Sequence, residues 1–141
     1  MNVLNLFKLC LFASLLVVGI IGCSKPTAEN ATLEGRWSGF ESGQTERITI
    51  EFTGNHFAYW DAQTNELGSG TFVVNDTVQP MQIDLTFEQI AAPELVGKVG
   101  LAIYELNGDE LKFAGSEPGS TQRPTDISGG PGVRTFALQR E

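Results

Sequence analysis

The feature that most constrains this chain is a hydrophobic period of two residues, which starts near Leu33 and continues almost to the C-terminus. Apolar and polar residues alternate through 48–52 and 83–87, and the alternation returns at 111–113 and 136–138. This period is typical of β-strands that bury one face and expose the other, whereas an amphipathic helix repeats every ~3.6 residues. The sequence therefore predicts a fold built from strands.

Turn-forming residues separate the alternating segments. Asn107-Gly108 is the strongest hairpin signal, because a type I′ turn needs positive φ at both central residues and these two adopt it at low cost. Between 88 and 95 only one helical turn is expected, since Pro93 argues against a longer helix. The predicted strands cover residues 35–42, 45–53, 56–61, 67–75, 81–88, 97–106, 110–115 and 133–140.

About eight short, evenly spaced strands predict an all-β fold, an antiparallel meander closed into a barrel that leaves no sheet edge exposed. A two-sheet sandwich is the alternative, and it fits less well because nothing in the spacing requires long crossovers. No internal repeat or second domain boundary is evident, so residues 33–141 are predicted to form one domain.

Residues 1–22 are predicted to be a lipoprotein signal peptide. Lys8 precedes an apolar run over 9–21, which is shorter than the ~20 residues that span a bilayer but suits a signal peptide. Ile20-Ile21-Gly22-Cys23 resembles a bacterial lipobox, in which the cysteine becomes the N-terminus and carries a diacylglycerol and an N-acyl chain such as palmitate. A plain signal peptide with an incidental cysteine is the alternative.

Residues 23–32 are small and polar, and they are predicted to form a lipidated tether. Two or three acyl chains would make a durable anchor, because each buried methylene contributes about 0.8 kcal/mol. Ser24 after the cysteine resembles proteins sorted to an outer membrane. The expected location is the cell envelope, at the outer membrane facing the periplasm.

Charge and composition exclude several classes of function. The chain has 9 basic and 17 acidic residues, a net charge of −8, and loss of Lys8 with the signal peptide makes it −9. It therefore lacks the basic surface of a nucleic-acid-binding protein. Cys10 leaves with the signal and Cys23 is lipidated, so no thiol or disulfide is expected in the domain. No metal or other cofactor is predicted.

The titratable residues suggest no enzyme, and no catalytic residue is assigned. His56 is the only histidine, and its position after a turn favours an exposed strand end over a general base. Glycoside hydrolysis needs two carboxyl groups about 5–9.5 Å apart in a cleft. The acids of the strands instead alternate with apolar residues, as on a solvated outer face: Glu51, Asp84, Glu88 and Glu105.

Three other residues are candidates for contacts. Alternation places Trp60 on the opposite face from Phe57 and Tyr59, so an outward Trp60 could contact a partner or the membrane interface. Arg123, stiffened by the proline after it, could pin a segment across the barrel mouth or contact an anionic ligand. Asp109 is expected to stabilise its hairpin turn by accepting hydrogen bonds from backbone amides.

Four pieces of the chain occur in a recognisable order: 33–37, 80–85, 103–112 and 123–126. Together they resemble an uncharacterised lipocalin-like domain family expanded in planctomycetes. The sequence departs from that pattern at Asp126-Ile127, where a Phe is common, and at Phe113-Ala114, where a cysteine is common. In the lipocalin-like pattern a late arginine lies across the tryptophan of the first strand, which implies that Arg140 and Trp37 close one barrel end.

The sequence leaves two principal hypotheses for function. The first is an envelope lipoprotein whose filled barrel is a structural or protein-interaction module with an exposed patch around Trp60. The alternative is a barrel that binds a small apolar or amphipathic ligand, because eight strands enclose room for side chains or for one small ligand. The aromatic side chains of the mature chain could plug the interior or line a pocket.

Overall fold

Each alternating segment of the sequence forms a strand. The structure, a computed structural model, describes residues 32–141; the predicted signal peptide, Cys23 and the tether up to residue 31 lie outside the described residues. Within the described residues one 3₁₀ turn, Pro93–Leu95, lies between the fifth and the sixth strand. The strands are β1 (Gly35–Glu41), β2 (Arg47–Thr53), β3 (His56–Trp60), β4 (Glu66–Asn75), β5 (Met81–Ile90), β6 (Val99–Asn107), β7 (Glu110–Ser116) and β8 (Val133–Arg140).

The eight strands form a closed antiparallel barrel, in which each strand pairs with its neighbours in sequence and β8 returns to β1. The closing pair places Trp37 opposite Arg140 and Gly39 opposite Leu138. This confirms the predicted eight-stranded antiparallel barrel and excludes the sandwich. No sheet edge remains unpaired among the described strands, because the last strand pairs with the first.

The barrel has two chemically different ends. We call one the closed end; it holds the turns β2–β3, β4–β5 and β6–β7 together with Thr32 and the C-terminal end of β8. The opposite end, which we call the mouth, holds the connections β1–β2, β3–β4, β5–β6 and β7–β8. The core cluster includes Trp37, Tyr104, Leu111 and Leu138 towards the closed end, and all four are at most 4% exposed.

The seam between β1 and β8 depends on a residue without a side chain. Gly39 faces inward between Trp37 and Glu41, and a Cβ there would overlap the Ala137 carbonyl oxygen and come within 2.9 Å of the Leu138 Cα. The backbones of the two strands therefore approach more closely at this point than any other residue would allow.

The connection over 117–132 begins at the mouth and then runs along the outer wall of the barrel. On that wall Arg123 donates hydrogen bonds to the carbonyl oxygens of Ile83 and Ala102, at 3.2 and 2.7 Å, and forms an ion pair with Asp84. Residues 123–125 therefore lie on the wall and not across the mouth, although Arg123 does pin them by hydrogen bonds.

An apolar strip on the wall explains why the segment runs there. Ile103 and Ala114 are paired across β6 and β7 and are 1% and 0% exposed. Neither belongs to the core cluster, because alternation turns both outward. Pro124, next to Arg123, is also buried. The segment thus covers outward apolar residues that the period-two pattern would leave in water.

Candidate functional site

The mouth half of the barrel interior is not filled by side chains. It holds a cavity of ≈ 170 Å³ that opens between the connections of the mouth. The wall is almost entirely apolar, and only Tyr59, Ser116, Glu117 and Arg134 contribute polar side-chain atoms. The remaining lining residues are Ile48, Ile50, Phe52, Phe57, Leu85, Phe87, Ile90, Leu95, Gly100, Phe113, Gly115, Pro118 and Phe136.

Two glycines help to keep this half open. Gly100 on β6 and Gly115 on β7 line the cavity at positions where the strands nearer the closed end carry Tyr104 and Leu111. The rings of Phe87 and Phe113 lean over them, and a Cβ would meet these rings at 3.2 and 3.1 Å. Small residues on the strands at the mouth therefore widen the lumen there, while bulky residues fill it at the closed end.

An ion pair forms part of the lip of the mouth. Arg134 of β8 and Glu41 of β1 occupy inward positions, and the guanidinium donates from Nε and Nη2 to the two carboxylate oxygens at 2.7 and 2.6 Å. These hydrogen bonds lower the pKa of Glu41, against the opposing effect of burial, and raise that of Arg134. The guanidinium carbon also lies 5.4 Å from the ring centroid of Phe136.

Tyr59 contributes a phenol side chain to the wall of the cavity. Its ring lies against Gly68 of β4, where a Cβ would come within 2.6 Å of the ring. Burial raises the pKa of Tyr59; Arg134 opposes this shift, and the carboxylates of Glu117 and Glu41 add to it. Within residues 32–141 no side chain or backbone group is hydrogen-bonded to this hydroxyl. It is therefore available to a molecule in the cavity.

The closed end is sealed by the pair that the resemblance implied. The guanidinium carbon of Arg140 lies 4.1 Å from the ring centroid of Trp37, which is 0% exposed. Arg140 also donates to the carbonyl oxygens of Glu34 and Thr32, at 2.7 and 2.9 Å. The Trp37 indole donates to the Leu33 carbonyl oxygen at 2.8 Å, which folds the entering chain across this end.

Asp109 belongs to this seal. Its carboxylate accepts a hydrogen bond from Arg140 Nε at 3.1 Å, and its carbonyl oxygen accepts one from the Arg140 amide. The expectation that its side chain bonds turn amides is wrong, because the end of β8 brings a cation beside the hairpin and a carboxylate pairs with it more strongly than with a neutral amide.

Trp60 lies on the outer wall and outside the cavity. Phe57 and Tyr59 line the lumen while Trp60 is half-buried on the opposite face, as the alternation predicted. The Arg36 guanidinium carbon is 5.5 Å from its ring centroid. A shallow depression beside the ring is bordered by Glu51, His56, Ser69 and Glu88.

The remaining candidates are distributed over the surface. His56 is exposed at the start of β3. Arg123 does not line the cavity, and its Nη1 and Nη2 atoms bind groups of β5 and β6. Within residues 32–141 no three His, Cys, Asp or Glu residues are grouped so that they could hold a metal ion. The same residues include no helix of the length and hydropathy that crossing a membrane requires.

Comparison of the chain with protein-family models, with curated proteins and with solved structures finds no match.

The lip residues are the part of the site that the sequence analysis missed. Glu41 lies in step with Trp37 and Gly39 on the inward face of β1, and Arg134 lies in step with Phe136 on β8. A charged residue at an inward position of a strand end is the signal that could have identified them. The two are 93 residues apart in sequence, so their pairing follows from barrel closure alone.

Proposed function

We propose that this protein is an envelope lipoprotein that binds one small apolar or amphipathic molecule in the mouth half of its barrel. The observation that carries the proposal is the apolar cavity of ≈ 170 Å³ between a filled closed end and a polar lip. Ligand sites are typically concave and mostly apolar, with a few polar groups that set orientation, and this cavity has that composition. The lipid anchor on Cys23 and membership of the lipocalin-like family are parts of the same proposal.

The attachment point of the tether indicates which end of the barrel lies nearer the membrane. Thr32, where the described chain begins, is held at the closed end by Arg140 Nη2 at 2.9 Å. The mouth lies at the other end of every strand. A chain anchored through Cys23 would therefore enter the domain at the closed end, which favours a mouth that faces away from the outer membrane into the periplasm.

Native mass spectrometry of residues 24–141, purified without detergent and exposed to an envelope lipid extract, tests the proposal. We expect an additional reproducible mass on the folded barrel. Ile48→Trp, which puts an indole into the cavity, should abolish it, whereas Thr49→Trp on the outward face of the same strand should retain it. A bare polypeptide mass under all conditions would contradict ligand binding.

The outward Trp60 favours the interaction module as a second candidate. A half-buried indole with a guanidinium above it, beside a shallow depression, is the type of residue found at binding hot spots. Loss of partner capture by Trp60→Ala, with the far-UV circular dichroism unchanged, would support this function. If Trp60→Ala captures the partner as well as the wild type does, and the wild type binds a ligand, the results would favour ligand binding in the cavity.

A further inference from the structure

The size of the cavity limits what it can hold, if the proposed function is correct. Its volume of ≈ 170 Å³ is close to that of the apolar cavities of about 150 Å³ that take up one benzene molecule. A single six-membered ring would fill the space between the filled closed end and the lip. A long acyl chain would have to leave most of its length in water.

The chemistry of the wall favours a ring over a flexible chain. Phe57 and Phe87 meet edge to face with ring centroids 5.3 Å apart, and Phe113 and Phe136 do so at 5.9 Å. These two pairs contribute both ring faces and ring edges to the cavity. Aromatic molecules gain from such arrangements beyond the area that they bury.

The charges at the lip disfavour an anion. Arg134 lines the cavity, but two of its nitrogens are bound to the Glu41 carboxylate, which leaves that cation neutralised. Glu117 is a carboxylate of the lining itself, and Glu41 lies beside it at the lip. A ligand carboxylate would meet two negative groups and a cation that is already paired, so it would lose its hydration without compensation.

We infer that the cavity selects a single-ring molecule that carries no negative charge and has one hydroxyl or carbonyl group, whose ring enters the lumen and whose polar group bonds the Tyr59 hydroxyl. Tyr59 is suited to this because its side chain lines the cavity and its hydroxyl has no hydrogen-bond partner within residues 32–141. This inference names the ligand class of the proposed site and therefore rests on the proposed function.

The test compares three probes of similar size at pH 7 by NMR titration of the wild type: phenol, toluene and benzoate. We expect phenol to bind at least about tenfold more tightly than benzoate. Tyr59→Phe should weaken the binding of phenol about 2- to 10-fold, which is the effect of one net hydrogen bond, and should leave the binding of toluene unchanged. Tyr104→Phe, the same change in the filled half, should affect neither probe.

The outcomes separate the inference from the proposed function. If no probe shifts the resonances of the cavity residues, the proposed ligand site itself is wrong. Toluene and phenol binding equally, with no effect of Tyr59→Phe, would leave the site intact and overturn the role of the hydroxyl. Benzoate binding as tightly as phenol would overturn the selection against an anionic ligand.

A second variant tests the role of the ion pair. Glu41→Gln removes one of the two carboxylates and frees the Arg134 guanidinium, so it should raise benzoate affinity about tenfold without improving toluene binding. Glu66→Gln, on an exposed carboxylate at the start of β4, is the matched control and should change neither. No gain in benzoate binding by a folded Glu41→Gln variant would contradict the argument from charge.

Discussion

Two inward arginines on β8 give the two ends of the barrel their different properties. Arg140 stacks on Trp37 and donates to backbone carbonyls, so it closes its end with an indole ring and carbonyl oxygens. Arg134 binds the carboxylate of Glu41 beside an unfilled lumen. An inward arginine on β8 therefore seals the closed end and, six residues earlier, borders the opening of the mouth. The difference arises because the two arginines have different neighbours.

The Glu41–Arg134 pair should make stability depend on acid pH. The folded pKa of Glu41 is lowered by its hydrogen bonds to Arg134, so the carboxylate's contribution to stability is present above its unfolded pKa of about 4.3 and is lost as pH falls through the lowered folded value. Glu41→Gln should therefore lower Tm at pH 7, and the difference from wild type should shrink below about pH 4.

Thermal unfolding of both proteins between pH 2 and pH 7 measures this difference. Glu105→Gln, an exposed position on β6, serves as the control for loss of one negative charge. A Tm difference between wild type and Glu41→Gln that is the same at every pH would show that the ionised carboxylate contributes nothing.

The strands and the long connection differ in how far local sequence determines them. Each end of every predicted strand lies within two residues of the corresponding end of an observed strand, because strand alternation and turn residues are local properties. The path of 117–132 is decided by Ile103 and Ala114 on other strands, and by carbonyl groups of β5 and β6 that Arg123 reaches from 40 and 21 residues away. No pattern within the segment itself identifies that surface.

Arg123→Met should detach this connection from the wall while retaining much of the side-chain volume. We expect a loss of about 1–3 kcal/mol in the free energy of unfolding, because two carbonyl oxygens lose a charged donor; the half-exposed ion pair with Asp84 adds little. Hydrogen exchange should also increase within 117–132.

Urea denaturation and hydrogen-exchange mass spectrometry provide these measurements. The control is Arg47→Met, which removes an exposed arginine whose guanidinium donates to the Ser38 hydroxyl at 2.9 Å. Equal effects of the two variants on stability and on exchange in the segment would contradict a specific anchoring role for Arg123.

At the scale of the whole molecule, closure of the sheet creates both the seal and the candidate site. The pairing of β1 with β8 joins residues about one hundred positions apart, and it brings Trp37 to Arg140 and Glu41 to Phe136. Neither the lumen nor its lip exists until this last pairing is made. At Gly39 the two strands lie too close together to accommodate a side chain, so a substitution there would disturb closure directly.

Gly39→Ala should destabilise the protein by about 1–3 kcal/mol, because the added methyl group overlaps the backbone of β8 and must push the seam apart. Gly130→Ala is the matched control, since a Cβ at that position would meet no atom within 4 Å. Urea denaturation of both variants gives the comparison. If Gly39→Ala is as stable as Gly130→Ala, the argument that the two backbones approach closely at Gly39 is wrong.

The sequence by itself determined the number, type and order of the elements and the outward position of Trp60. These features follow from period-two alternation and turn chemistry, which can be recognised within a few residues. Only the tertiary structure decided that the lumen is filled at one end and open at the other, that Glu41 meets Arg134, and that Arg123 binds the outer wall. Each of these depends on which distant strands become neighbours and on how much volume their inward side chains leave. The spacing of residues along the sequence reveals neither the pairing nor the volume.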